Sequence, residues 1–380
     1  MRRVCAFGAV VAAVVVCVPS SPAGASAPGL RGAVGAYRFA DGSAAALVYQ
    51  GGALRLVDYR TGALRQLEQR SRTLFVGGPG VSVPQPVIVR VALVDGAGGS
   101  VAAVRLDGRL ATRIPLAVVP ASFGDGDVRL AGRLLLPPGR GPFPAVELVP
   151  GSVAARRDTY DLWAMFFVSR GFAVLSYDKR GVGASTGTYV RAATDENLRN
   201  LASDALAGVE WLRQRHDIDS TRIGLSGGSQ AGWVIELAAS QSRDVRFAAL
   251  QSGPAMSVGR QLAYSAITHE GAAGPSEAQI HAALDGAPDT GFDPKPLLAA
   301  LHIPVLWQLG SVDKRMYTPE TLANLAAIEA TGKHDFNIHV YPGGAHSLRE
   351  TAHGLIAEER TSPGFVAGVF ADLTAWLRLR

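Results

Sequence analysis

Ser229 stands in Gly227-Gly228-Ser229-Gln230-Ala231. A serine flanked by small residues at this spacing can project its hydroxyl from a tight turn. Such a hydroxyl attacks a carbonyl when a histidine takes its proton and a carboxylate orients that histidine. Asp313, in Gly310-Ser311-Val312-Asp313, and His346, closing Tyr341-Pro342-Gly343-Gly344-Ala345-His346, follow in the chain order serine, acid, base. The chemistry expected of this set is acyl transfer, with Ser229 as nucleophile, His346 as general base and Asp313 as the orienting acid. The developing oxyanion needs backbone N–H donors. One is expected from Gln230, the other from the loop after Val149, at Ser152 or its neighbour Val153.

A second serine competes. Gly224-Leu225-Ser226-Gly227-Gly228 is the literal G-x-S-x-G. An elbow of this kind needs a strand before the serine and a helix after it. Choosing Ser226 leaves little strand after an Asp219-Ser220 turn, and it opens the helix with two glycines, which are poor helix formers. Choosing Ser229 gives a strand from Arg222 to about Gly227 and an amphipathic helix carrying Trp233, Val234, Leu237 and Ala238. Ser229 is the stronger candidate.

Position along strands also sorts the histidines and acids. His302 and His334 precede strands, His339 lies within one, and His353 is expected in a helical segment. His346 alone among them follows a strand through a flexible loop. Asp313 likewise follows the strand Val305 to Leu309; its plainer role would be to cap the next helix. Asp178 precedes Ser229 in the chain and is expected to tie down the loop from Lys179 to Gly183.

These residues need a frame. From about Val118 strand-like and helical stretches alternate: Val128 to Leu136, Val146 to Val149, Leu162 to Val168, Phe172 to Tyr177, Leu198 to Gln214, then strands at Phe247, Val305 and Phe336 with helices between. Alternation of this kind builds a mainly parallel sheet with chemistry at the carboxyl ends of its strands. Residues from about 30 to 120 read differently. Leu54 to Tyr59 and Ala63 to Leu67 flank a hairpin-like turn, Val87 to Val94 and Val101 to Leu106 continue the short-strand pattern, and Gly-rich breaks separate them. The segment is too short for a propeller, which needs about 40–50 residues per blade. The expected organisation is a small N-terminal β domain over 30–117 and a catalytic domain over 118–380.

Composition narrows the class. Apolar residues make up 48 % of the 380, enough for a substantial core. The net charge of +5 is spread without a run of five like charges, so nucleic-acid binding has little support. Only Lys179, Lys295, Lys314 and Lys333 are lysines, an Arg bias that fits a GC-rich genome. Met1-Arg2-Arg3, an apolar run from Val4 to Val18, and Ala23-Gly24-Ala25 have the layout of a secretory signal peptide. The run is shorter than the roughly 20 residues of a membrane span. Cleavage is expected after Ala25, since the alternative Ala25-Ser26-Ala27 would leave Pro28 at the new terminus. Cys5 and Cys17 both lie in this segment. The exported chain is then expected to hold no disulfide, thiol nucleophile or Cys-ligated metal.

Ile223 to Trp233 (IGLSGGSQAGW), Tyr177 to Ser185 (YDKRGVGAS), Leu309 to Asp313 and Tyr341 to His346 together resemble the bacterial α/β-hydrolase esterases of the serine-aminopeptidase-like and dienelactone-hydrolase-like groups. The likeness runs from about residue 120 to the C-terminus. It implies an α/β-hydrolase fold and cleavage of a small or medium carboxylic ester through an acyl-enzyme, with no cofactor and no metal. Two positions depart from the family: Pro150-Gly151 where members commonly carry His-Gly, and Ala231 where Gly is usual. The segment from about 253 to 300, with Tyr264, Ile267, Ile280, Leu284 and Phe292, resembles a short helical cap that would shape the acyl pocket. Peptide or amide cleavage by the same residues, thioester cleavage, and a catalytically silent binding protein of this fold are the other readings.

Overall fold

Period-two alternation carries the chain from Gly35 to Arg113 through eight short strands: β1 (Gly35–Phe39), β2 (Ala44–Gln50), β3 (Ala53–Asp58), β4 (Leu64–Gln69), β5 (Leu74–Gly77), β6 (Val89–Asp95), β7 (Val101–Leu106) and β8 (Arg109–Arg113). The computed structural model describes residues 32–332 and 334–380; the expected signal segment lies outside them. Each strand pairs antiparallel with the next, and β1 returns to β8 through Tyr37 opposite Arg113, closing a barrel. Closure leaves no unpaired edge. Tyr37, Leu47, Leu56, Phe75 and Val91 fill its interior. Ala46, Val48 and Val57 point the other way and are buried too, because that outer face lies against the second domain.

The second domain begins with β9 (Ala117–Asp125) and β10 (Val128–Leu136), a long hairpin. There follow β11 (Phe143–Leu148), α1 (Asp161–Ser169), β12 (Ala173–Tyr177), α2 (Asp195–Arg213), β13 (Ile218–Gly228), α3 (Ala231–Gln241) and β14 (Phe247–Gln251). Then come α4 (Val258–Ile267), α5 (Glu277–Asp285), α6 (Lys295–Ala299), β15 (Val305–Gly310), α7 (Thr318–Glu329), β16 (Phe336–Tyr341), α8 (Ile356–Glu359) and α9 (Val369–Leu377). The sheet order is β16-β15-β14-β13-β11-β12-β10-β9. From β12 to β16 all pairings are parallel; β10 runs antiparallel to both its neighbours. This is the α/β-hydrolase fold, preceded by the barrel. Among the described residues no helix is long and apolar enough to cross a membrane.

Central strands covered on both faces alternate between two cores rather than between core and water. In β14, Ala248 and Leu250 join α2 and α3 on one face, while Phe247 and Ala249 join α1 and α9 on the other. Thr194 caps α2 by accepting from the Asn197 N–H, and Asp195 and Glu196 follow at its positive end. The barrel docks on the α1–α9 face, where the Tyr59 hydroxyl donates to the Leu162 carbonyl at 2.6 Å. The Phe365 N–H donates to the Gly62 carbonyl at 2.8 Å. Phe365 and Trp163 meet there edge to face, with ring centroids 5.7 Å apart.

Two sequence expectations shift. Asp219 and Ser220 are not a turn but part of β13, which starts at Ile218. The Asp219 carboxylate accepts from Thr221, the local bonding typical of a turn; Asp219 and Ser220 sit where the β11 register shifts between Ile218 and Ile223, within one extended strand. His353 sits in a bend before α8, held by Glu358.

Two buried carboxyls have a cost. Glu147 on β11 and Glu236 on α3 make no hydrogen bond through either oxygen among the described residues. Burial pushes both well above the usual carboxylate range, with Asp204 adding to it for Glu147 and Asp293 for Glu236. A carboxyl raised in the folded state contributes stability that is full below the unfolded value and lost as pH rises through the folded one. Glu147→Gln and Glu236→Gln should therefore raise Tm at pH 8, by about 2–4 °C per kcal/mol relieved. The gain should fade as pH drops towards 4.5, the unfolded value. Thermal melts across that pH range check this; a gain that does not depend on pH would refute it.

Candidate active site

β13 ends at Gly228 and α3 begins at Ala231, so Ser229 occupies the turn between them. Its φ is +60°. A non-glycine residue in the left-handed region costs of order 1–3 kcal/mol and persists only where its surroundings impose it. Here the Ser229 N–H donates to the Gln251 carbonyl at 3.1 Å, and the Gly232 N–H donates to the Ser229 carbonyl at 2.8 Å. Gly227 is required beneath the turn: a Cβ there would lie 2.6 Å from the Ala231 Cβ and 2.7 Å from the Val149 carbonyl oxygen. The Ala231 methyl, which replaces the usual glycine, occupies the space that Gly227 leaves open.

Ser226 lies inside β13, opposite Leu148 on one side and Ala249 on the other. It is 2 % exposed, and its hydroxyl donates to the Ala249 carbonyl at 3.0 Å. That hydroxyl is already committed to the sheet.

Asp313 and His346 come together after β15 and β16. Asp313 Oδ2 lies 2.8 Å from His346 Nδ1. Its other oxygen, Oδ1, accepts from the Arg315 N–H at 2.7 Å and the Met316 N–H at 2.9 Å. The carboxylate is buried and both oxygens are used. His346 and Ser229 line the same cleft, of about 290 Å³. Among the described residues no hydrogen bond joins them; in free sites such bonds are often long and tighten with substrate. An imidazole held through Nδ1 presents Nε2 as a proton acceptor, the arrangement that general-base chemistry uses.

Ser152 and Val153 line the cleft from the segment after β11, which neighbours β13 on the side away from β14. Gln230 is the residue before α3, and among the described residues its backbone N–H has no acceptor. A buried lysine links these two segments. The Lys179 ammonium donates to the Gly151 carbonyl at 2.7 Å and to Gln230 Oε1 at 3.1 Å. It lies 5.5 Å from the centroid of the Tyr189 ring, and the Tyr189 hydroxyl donates to the Ser152 carbonyl at 2.6 Å. Burial brings Lys179 down to about 8, against the pull of Asp204.

The loop bearing Lys179 is anchored by Asp178. Its carboxylate takes hydrogen bonds from Arg157 and from the Ala184 N–H. Burial pushes that carboxyl up, but these bonds outweigh it and hold it below the usual range. Gly183, at φ +59°, passes so close that a Cβ would meet Asp178 Oδ2 at 2.2 Å.

The remaining histidines lie elsewhere. His302 and His334 stack on each other, and His339 is 3.3 Å from Asp372. The helical segment from 253 to 300 contributes no residue to the cleft lining. Instead it braces the acid's loop, where the Tyr264 hydroxyl donates to the Asp313 carbonyl at 2.7 Å. The apolar wall comes from Leu162, Trp163 and Phe365, and Gln50 of the barrel reaches the rim. Sequence reasoning missed Arg315 and Arg349, which also line the cleft. The signal was available: they stand two residues after Asp313 and three after His346.

Among curated proteins, this chain is 30 % identical over 102 residues to the esterase FrsA of Enterobacter sp. (strain 638), covering 27 % of this chain and 23 % of that one. It is 34 % identical over 104 residues to the esterase FrsA of Escherichia fergusonii, with the same coverage. The chain thus spans less than a quarter of the length of these curated relatives. Among solved structures, a Pyrococcus furiosus esterase, Pf2001, aligns at 19 % identity and TM-score 0.47 over 60 % of this chain and 83 % of that one. A Mycobacterium tuberculosis puromycin-hydrolyzing peptidase aligns at 21 % and 0.46 over 82 % and 51 %. The prolyl oligopeptidase family matches residues 159–372, more than half of the chain. That span includes the Ser229 turn, the Asp313 loop and His346, and with it the chain belongs to the prolyl oligopeptidase family.

Proposed function

We propose that this protein cleaves carboxylic esters through an acyl-enzyme, with Ser229 as nucleophile, His346 as general base and Asp313 orienting it. The observation that carries the reading is the strained Ser229 at φ +60° opening onto a cleft shared with an imidazole that a buried carboxylate holds. Attack by Ser229 Oγ on the ester carbonyl carbon forms the C–O bond as His346 takes the hydroxyl proton. Collapse of the tetrahedral intermediate expels the alcohol, which receives that proton. Water then repeats the sequence and releases the acid. The oxyanion is received by the Gln230 N–H and by an N–H of the Ser152 segment, which Lys179 ties to each other. The chain's partner is then a small-molecule ester rather than a nucleic acid, met outside the cytoplasm after export on the N-terminal segment.

Peptide cleavage is a second reading, favoured by the family match. A panel of p-nitrophenyl esters of rising acyl length beside aminoacyl-anilides separates the two. Ester kcat/KM values at least about tenfold above those for anilides are expected. Anilide turnover without ester turnover would replace ester cleavage by peptide cleavage.

A further inference from the structure

The cleft lining is chemically mixed. Leu162, Trp163 and Phe365 supply apolar surface, Arg315 and Arg349 supply charge, and no Asp or Glu is among the described lining residues. Arg349 is only loosely matched. Its Nη1 lies 3.4 Å from Glu359 Oε2, an oxygen that already accepts from the Ser347 hydroxyl at 2.8 Å. Its Nε is buried with no hydrogen-bond partner among the described residues. The Arg315 side chain donates from Nε to the Glu270 carbonyl at 3.0 Å, and among the described residues no carboxylate lies within ion-pair distance of it. Near Arg349, Arg55 donates to the Gln50 and Val81 carbonyls, and among the described residues it pairs with no carboxylate.

Two guanidiniums therefore line the cleft, and among the described residues Glu359 is the carboxylate paired with either of them, since Asp313 is committed to His346 and two backbone N–H groups. Burial pulls Arg349 down, Glu359 pulls it up, and Arg315 pushes it down again. Burial and the nearness of Arg349 lower Arg55 as well. Guanidinium stays charged at neutral pH under such pressure. A partly buried cation with an unpartnered donor beside a reactive serine is a poor structural device and a good anion receptor, because guanidinium donors match carboxylate oxygens in pairs.

We propose that Arg349 and Arg315 form a carboxylate-binding subsite, so that the substrate is an ester or peptide carrying a free carboxylate close to the scissile bond. The inference rests on Ser229 being the nucleophile. The carboxylate can belong to the acyl part or to the leaving group, and two matched pairs distinguish them. One pair is p-nitrophenyl hydrogen glutarate and p-nitrophenyl methyl glutarate. The other is 4-carboxyphenyl butyrate and 4-carbamoylphenyl butyrate.

In at least one pair the charged member should show kcat/KM about tenfold or more above the neutral one, an advantage that shrinks with added salt. Arg349→Gln should cut that ratio by about fivefold or more, and Arg315→Gln serves the same reading should Arg349→Gln fail to fold. Ratios at or below one in both pairs, in wild-type enzyme that a neutral fluorophosphonate labels at Ser229, would overturn the subsite and leave the nucleophile standing. Absence of labelling would remove the nucleophile instead. The subsite is then read by calorimetry on Ser229→Ala: tighter binding of the charged member than of the neutral one in either pair supports it, and equal affinity in both pairs overturns it.

Discussion

Ser229→Ala is expected to lower ester turnover by about 10⁵- to 10⁶-fold and to abolish labelling by a fluorophosphonate. The residual rate would come from the oxyanion donors and from substrate binding, which the substitution leaves in place. Stability should hardly change. Among the described residues the Ser229 hydroxyl makes no hydrogen bond, and alanine at φ +60° bears the same backbone strain as serine. The control is Ser226→Ala. That hydroxyl bonds to the Ala249 carbonyl inside the sheet, so its loss should cost about 1 kcal/mol of stability and leave labelling intact. Labelling that survives in Ser229→Ala, or vanishes in Ser226→Ala with the fold intact, would move the nucleophile away from Ser229.

The contrast between these serines shows which parts of the site were legible in the sequence. The literal motif pointed to Ser226, and helix propensity after the serine pointed to Ser229. The second signal located the strand-to-helix turn, which falls at Ser229, because it concerned where a helix can start. One supporting argument was weaker than it looked. The supposed Asp219-Ser220 turn is strand, an irregular stretch between the β11 pairings of Ile218 and Ile223 that keeps its local side-chain bond. The meeting of Asp313 with His346 was legible because each follows a strand end, and in a parallel sheet those ends converge.

What escaped depends on contacts between distant segments. Closure of the barrel pairs Tyr37 with Arg113, and period-two alternation carries no information about which strands meet. The cleft's apolar wall is built from Trp163 and Phe365, brought together because α1 and the segment before α9 share the barrel's docking face. The helical insertion had the composition of a cap, yet its Tyr264 braces the Asp313 loop from behind. Composition indicates that a helix pair is buried on one side; it does not say against what.

Asp313→Asn is the substitution that separates an orienting acid from one that only caps its own turn, ahead of α7. Two backbone N–H groups, of Arg315 and Met316, point at Oδ1 and demand an acceptor there. An asparagine must therefore place its carbonyl oxygen at that position and turn its NH₂ towards His346 Nδ1. The ring must then accept through Nδ1 and carry its proton on Nε2, where the Ser229 proton has to go. A fall in kcat of about 10⁴-fold with KM little changed is expected, the consequence of holding a catalytic imidazole in the wrong tautomer. A capping role predicts the opposite result, because the bonds to Arg315 and Met316 survive in asparagine and so would the activity. Melting temperature should stay close to wild type under either role, so steady-state kinetics decides between them. A variant retaining more than about a tenth of wild-type kcat would leave Asp313 as a cap and require another acid for His346.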